Sequence, residues 1–167
     1  LTPTEKIQSN HQNILELANE IKENETDVLT IVKLAANWTA AHISYDSQLA
    51  EDITWGYSNT QDALTTLNRK MGTCSEYTNV FIAIMRNLGI PAKFIHGQRY
   101  NSSYHAWAEV YLYEVEWIPV DPKAYSLNYY LLNYDVVVYD YVKTHAGLDF
   151  VELDIILYKL NIRIEKI

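Results

Sequence analysis

A single cysteine, Cys74, serves a chain of 167 residues. It cannot form an internal disulfide, and a scaffold without such staples leans toward a reducing, cytoplasmic setting. Positive charge is also scarce. Thirteen Lys and Arg residues face 21 Asp and Glu, for a net charge of −8 with no long basic run. That balance argues against nucleic acid and anionic membrane surfaces as partners. No apolar run approaches the roughly 18 residues of a membrane span. There are only five glycines and four prolines, and neither an internal repeat nor a low-complexity linker occurs. What remains is 49% hydrophobic, enough for one domain over residues 1–167 with a real core. Leu1 stands where an initiator Met would, so the sequence is expected to be a processed form or part of a larger multidomain chain.

Periodicity divides the chain into helices first and strands second. Residues 4–23 read as a helix, with Ile7, Ile14, Ala18 and Ile21 on one face. A second runs to about residue 43 with Val28, Ile31, Val32, Ala35, Thr39 and His42 along a stripe. Residues 45–58 read as a long loop, and Asn59 or Thr60 is expected to cap a short helix through Leu64 and Leu67. Thr73 and Glu76 form a T-x-x-E capping box that makes Cys74 the first helical residue. Tyr77, Val80, Phe81, Ile84 and Leu88 then give the buried stripe, and Gly89 and Pro91 end the helix. From residue 92 the period is two. Strands are expected at 92–97, 105–113 and 117–121, then at 134–141 and 150–167 with a turn near Ala146-Gly147. The order predicts an α+β fold with an antiparallel sheet.

Cys74 at a helix start is chemically suggestive. Free backbone N–H groups and the positive end of the helix dipole both favour thiolate over thiol. A turn around 113–116 would make residues 105–121 a hairpin. His105 and Asp121 would then share a sheet face as cross-strand or diagonal neighbours. If the cysteine helix packs on that face, thiol, imidazole and carboxylate converge into a nucleophile, an acid/base and its orienting partner. The Cys74 N–H is a natural oxyanion donor. Gln61, Asn59 and Trp55 are weaker candidates for a second. Each part has a plainer reading. A lone cysteine is usually a small buried hydrophobe, a capping box marks any helix start, and Val-Asp-Pro is an ordinary strand end. The joint order and parity favour the catalytic reading. Trp55, Tyr104 and Trp107 are candidate substrate contacts. His11, His42, His96 and His145 do not sit with Cys74 at ligand spacing, so neither a metal site nor any cofactor is expected.

Three blocks carry a family resemblance: Gly72-Thr73-Cys74-Ser75-Glu76-Tyr77 through Leu88-Gly89-Ile90-Pro91-Ala92-Lys93, then His105-Ala106-Trp107-Ala108-Glu109-Val110, then Trp117-Ile118-Pro119-Val120-Asp121-Pro122. Over about residues 60–123 the chain resembles the transglutaminase-like superfamily. The resemblance implies a papain-like core, with N-terminal helices and a cysteine-bearing helix packed on an antiparallel β-sheet. It also implies Cys74 as nucleophile, His105 as acid/base and Asp121 as orienting carboxylate. Tyr104, where the family often has Gly, is expected to narrow access. Lys123, where it often has Thr, offers a cation to an acidic substrate. The expected activity is cysteine-dependent hydrolysis of amide, peptide or isopeptide bonds in a peptide or protein substrate. The alternatives are transfer of the acyl group to an amine and a non-catalytic peptide-binding domain.

Overall fold

The computed structural model describes residues 2–99, 104–113, 116–123, 141–149 and 153–155. The helices begin where short polar side chains capture free N–H groups. In α1 (Gln12–Lys22) the cap is His11, whose Nδ1 accepts from the Asn13 N–H at 3.2 Å. Helix α1 is shorter than expected. Ile7 is buried, but it sits in a preceding turn in which the Thr4 hydroxyl accepts its N–H at 3.1 Å. Its alignment with Ile14 comes from tertiary packing and not from a shared helix. Asp27 caps α2 (Val28–His42) by accepting the Thr30 N–H at 2.7 Å. The ends of the expected stripe, Val28 and His42, are exposed, while Ile31, Val32, Ala35, Ala36 and Thr39 are buried.

The stretch expected to be a long loop contains two elements. Strand β1 (Ser44–Tyr45) pairs in parallel with β2 (Met71–Gly72), which leads directly into the cysteine helix. Helix α3 (Ser47–Thr54) follows, with Asp46 accepting the Leu49 N–H at 2.9 Å. Only Leu49 of α3 is buried, so no apolar period announces it. Asp62, not Asn59 or Thr60, caps α4 (Ala63–Arg69), accepting the Thr65 N–H at 2.8 Å.

Helix α5 (Cys74–Asn87) is the centre of the fold. Every residue from Ser75 to Arg86 is buried, so this helix is enclosed on all sides and not along one stripe. Helices α1, α2 and α4 cover one side, and the sheet covers the other. Gly89, at φ 80, ends it in a conformation that favours glycine.

The sheet runs in the order β5-β4-β3-β6-β7, antiparallel throughout. Its strands are β3 (Ala92–Arg99), β4 (Tyr104–Leu112), β5 (Glu116–Val120), β6 (Tyr141–Gly147) and β7 (Leu153–Ile155). Ala92, Phe94, Ala106, Ala108, Val110 and Val120 pack with α5 in the main core, while Ile95, Trp107 and Ala146 form a second cluster. The turn expected near Ala146-Gly147 comes just after them, since both residues end β6 and the bend falls at Leu148-Asp149. Of the two C-terminal strands expected, residues 134–140, 150–152 and 156–167 lie outside the described residues.

Candidate active site

The route into α5 is tightly fixed. The Glu76 carboxylate is fully buried and accepts the Thr73 N–H at 2.7 Å, the Thr73 hydroxyl at 2.6 Å and the Gln61 N–H at 2.7 Å. Glu76 lies so close to β2 that a Cβ on Gly72 would stand 2.3 Å from the Glu76 Cβ. Glycine is therefore required at position 72 by close approach. These contacts seat Cys74, half-buried, at the first position of α5. A backbone N–H there has no partner within the helix.

His105 and Asp121 arrive from the sheet. The expected hairpin forms, but Leu112 pairs with Glu116 and Ala108 with Val120, which centres it one residue later than expected. Asp121 is thereby level with Trp107 and diagonal to His105, on the same face. The His105 Nε2 lies 2.6 Å from the Asp121 Oδ2, and both residues are buried. The second carboxylate oxygen, Oδ1, accepts the Lys123 N–H at 3.0 Å.

The convergence with Cys74 differs from the sequence expectation in one respect. Helix α5 covers the face of Ala106, Ala108 and Val110, not the face of His105. The sulfur instead takes hydrogen bonds from His105 and from the Ala106 backbone N–H. A strand's N–H lies in the plane of its sheet, so Cys74 meets β4 at its edge, between the two faces. That edge is open because the β5 pairing stops at Val120. With Nε2 on Asp121, it is His105 Nδ1 that faces the sulfur.

This arrangement tunes both groups. Burial pushes the Cys74 thiol up, but the His105 hydrogen bond and charge, the Ala106 N–H and the Lys123 charge outweigh it, leaving the thiol below its ordinary value. Burial lowers His105, yet the hydrogen bonds to Asp121 and Cys74 and their charges raise it from an ordinary 6.5 to about 9. Both shifts favour the thiolate–imidazolium pair over the neutral thiol and imidazole.

The expected substrate contacts fare differently. Trp55 follows α3 and is 68% exposed. Tyr104 opens β4, is 67% exposed, and stacks on His96 with ring centroids 5.3 Å apart. Trp107 is only 3% exposed and packs with Ile95 and Ala146. Its ring stacks 6.2 Å from that of His105, which suits it to backing the imidazole and offers almost no surface to a substrate. Gln61 is tied to α5 through its backbone, with its carbonyl accepting from the Asn79 side chain at 2.9 Å. Tyr45 escaped the sequence reading. Burial raises its hydroxyl, as do the charges of Cys74, Glu76 and Asp46. The missing signal was the β1–β2 ladder, too short to show a period. Among the described residues, no group of three His, Cys, Asp or Glu side chains is placed to hold a metal ion, and no helix is long and apolar enough to cross a membrane.

A cysteine-bearing helix start set against an antiparallel sheet that supplies histidine and aspartate defines a papain-like α+β domain. The model of the transglutaminase-like superfamily matches residues 15–122, and the chain belongs to that superfamily of cysteine-dependent amide hydrolases and acyltransferases. A candidate cysteine protease from Cytophaga hutchinsonii has a similar structure, with TM-score 0.69 and 24% identity over 89% of this chain and 45% of that one. The periplasmic domain of TgpA from Pseudomonas aeruginosa, bound to ethylmercury, gives TM-score 0.54 and 20% identity over 67% and 44%. At these identities the likeness is one of fold. A peptide-N(4)-(N-acetyl-β-glucosaminyl)asparagine amidase from Eremothecium gossypii is 34% identical over 77 residues, which is 41% of this chain and 21% of the amidase. The chain spans less than half the length of each of these proteins.

Proposed function

We propose that the domain hydrolyses amide bonds through a Cys74 thioester. One observation carries this reading: the two nitrogens of a single buried imidazole face the Cys74 sulfur and the Asp121 carboxylate. The thiolate attacks the amide carbonyl, and the Cys74 N–H stabilises the oxyanion that forms. The tetrahedral adduct collapses as the C–N bond breaks and His105 gives its Nδ1 proton to the departing amine. A thioester remains. Neutral His105 then takes a proton from water, whose oxygen attacks the thioester carbonyl and expels the Cys74 thiolate. Asp121 keeps the ring oriented and stabilises its charged form throughout. No metal or cofactor takes part in these steps.

The test is the rate of Cys74 alkylation by iodoacetamide across the pH range. An inflection well below the free-thiol value of about 8.5, lost in His105→Ala, supports the activated pair. A slow reaction with no early inflection favours the peptide-binding alternative. The Eremothecium amidase favours a second, narrower reading, in which the amide joins N-acetylglucosamine to asparagine. Conversion of the glycosylated asparagine of a denatured glycoprotein to aspartate, absent in Cys74→Ala, distinguishes it from general peptide hydrolysis.

A further inference from the structure

Lys123, whose charge favours the Cys74 thiolate, has no part in the steps above. Its N–H donates to Asp121 Oδ1 at 3.0 Å, so the carboxylate that orients His105 also fixes the turn carrying the lysine. Its Nζ lies 4.1 Å from the centroid of the Tyr45 ring. Tyr45 is the β-ladder partner of Gly72, two residues before Cys74. The ammonium and the phenol ring are therefore held against the strand that leads into the cysteine helix. The proximity is mutual, since the Lys123 charge favours the Cys74 thiolate and the thiolate charge raises the Tyr45 hydroxyl.

A cation so placed acts on more than the sulfur. A thiolate repels an approaching carboxylate, and a chain of net charge −8 adds to that repulsion at longer range. An ammonium whose charge already favours the thiolate opposes that repulsion, because short-range attraction is screened less than the background. Resting on the reading of Cys74 as nucleophile, we propose that Lys123, seated on Tyr45, is a specificity residue that favours acyl groups carrying a carboxylate close to the carbonyl under attack.

The simpler role, lowering the thiol pKa, would speed neutral and anionic electrophiles alike, and that difference supplies the test. Iodoacetate and iodoacetamide are nearly equal in size and differ by one charge. Both are used on the full chain at a pH where the thiolate is fully formed, and the ratio of their rates is compared between variants. The His105 contribution is common to all of them and cancels. The iodoacetate preference is expected to fall about three- to tenfold in Lys123→Gln, to survive in Lys123→Arg, and to fall further in Lys123→Glu. An unchanged ratio in Lys123→Gln and Lys123→Glu overturns the proposal, even if both rates drop together. If Lys123→Gln does not fold, Lys123→Glu and the loss of the wild-type preference with added salt, measured against free cysteine, decide the matter. The iodoacetamide rate separately reports whether Cys74 is activated at all, so failure of the nucleophile reading and failure of this inference give different results.

Discussion

Asp121→Asn tests the site most sharply, because the substitution keeps shape and removes charge. In the native site the two carboxylate oxygens accept two donors, His105 Nε2–H at 2.6 Å and the Lys123 N–H at 3.0 Å. An asparagine has one acceptor oxygen for the two. If that oxygen stays with Lys123, the amide NH2 faces Nε2 and demands a ring nitrogen without a proton. The imidazolium is then lost, or the ring must turn from Cys74. Burial opposes the native rise of His105 to about 9, and the Asp121 hydrogen bond leads the contributions that produce it. At about 1.4 kcal/mol per pH unit, that rise represents about 3 kcal/mol in favour of imidazolium. Asp121 shares it with Cys74, so about 2 kcal/mol is expected to go with the carboxylate. Two readouts follow. The alkaline limb of kcat/KM should move down from about pH 9 toward the ordinary histidine range, and kcat/KM should fall about 10²- to 10³-fold because a misoriented ring no longer transfers protons efficiently. The protein should remain folded by circular dichroism. A folded Asp121→Asn with the native pH profile and native kcat/KM would refute the assignment of Asp121.

Cys74→Ala should abolish turnover while leaving the thermal midpoint nearly unchanged, since alanine suits the first turn of a helix; unfolding instead would make Cys74 a core residue. The wild-type kcat/KM profile should be bell-shaped. It rises as the thiol ionises below its ordinary range and falls near pH 9 as His105 loses the proton meant for the leaving group. Glu76→Gln replaces a fully acceptor carboxylate facing three donors, and should cost about 2–3 kcal/mol in urea unfolding with an unchanged slope. Gly72→Ala forces a Cβ to 2.3 Å from the root of the Glu76 side chain, which cannot swing aside; a loss of about 2–3 kcal/mol is expected, and native stability would contradict the close approach. Saturating chelator should leave kcat/KM unaltered, and its loss would count against the whole mechanism.

The parts of this fold legible in the sequence are those where one local signal suffices. The Thr73–Glu76 pair marked the start of α5 to the residue, and Gly89 its end. Alternation placed β3, β4 and β5 within a residue or two. Legibility failed where burial was not periodic. Helix α3 buries only Leu49, and β1 and β2 are two residues each. Ile7 misled in the opposite sense, because a residue in a turn can be buried by tertiary packing at a helical interval. Which helix terminus a cap belongs to was equally ambiguous around residue 60. Asn59, Thr60 and Asp62 are all good caps, and only Asp62 holds an N–H, that of Thr65, at the start of α4.

The His105–Asp121 pairing was legible through parity. His105 and Asp121 differ by an even number, so a hairpin places them on one face whether its centre falls at one residue or the next. The error of one residue at the turn therefore turned a direct pair into a diagonal one and left the hydrogen bond intact. The side of the sheet that meets the helix was not legible. Small side chains on one face of β4, Ala106 and Ala108, let α5 approach closely, whereas His105, Trp107 and Glu109 on the other face are too large to accept it. The cysteine then has only the open strand edge beyond Val120 through which to reach the imidazole. That edge is also where the chain turns at Asp121-Pro122 and carries Lys123 toward Tyr45. The same termination of β5 thus exposes the Ala106 N–H to the sulfur, releases the carboxylate for His105 and brings a cation to the thiol.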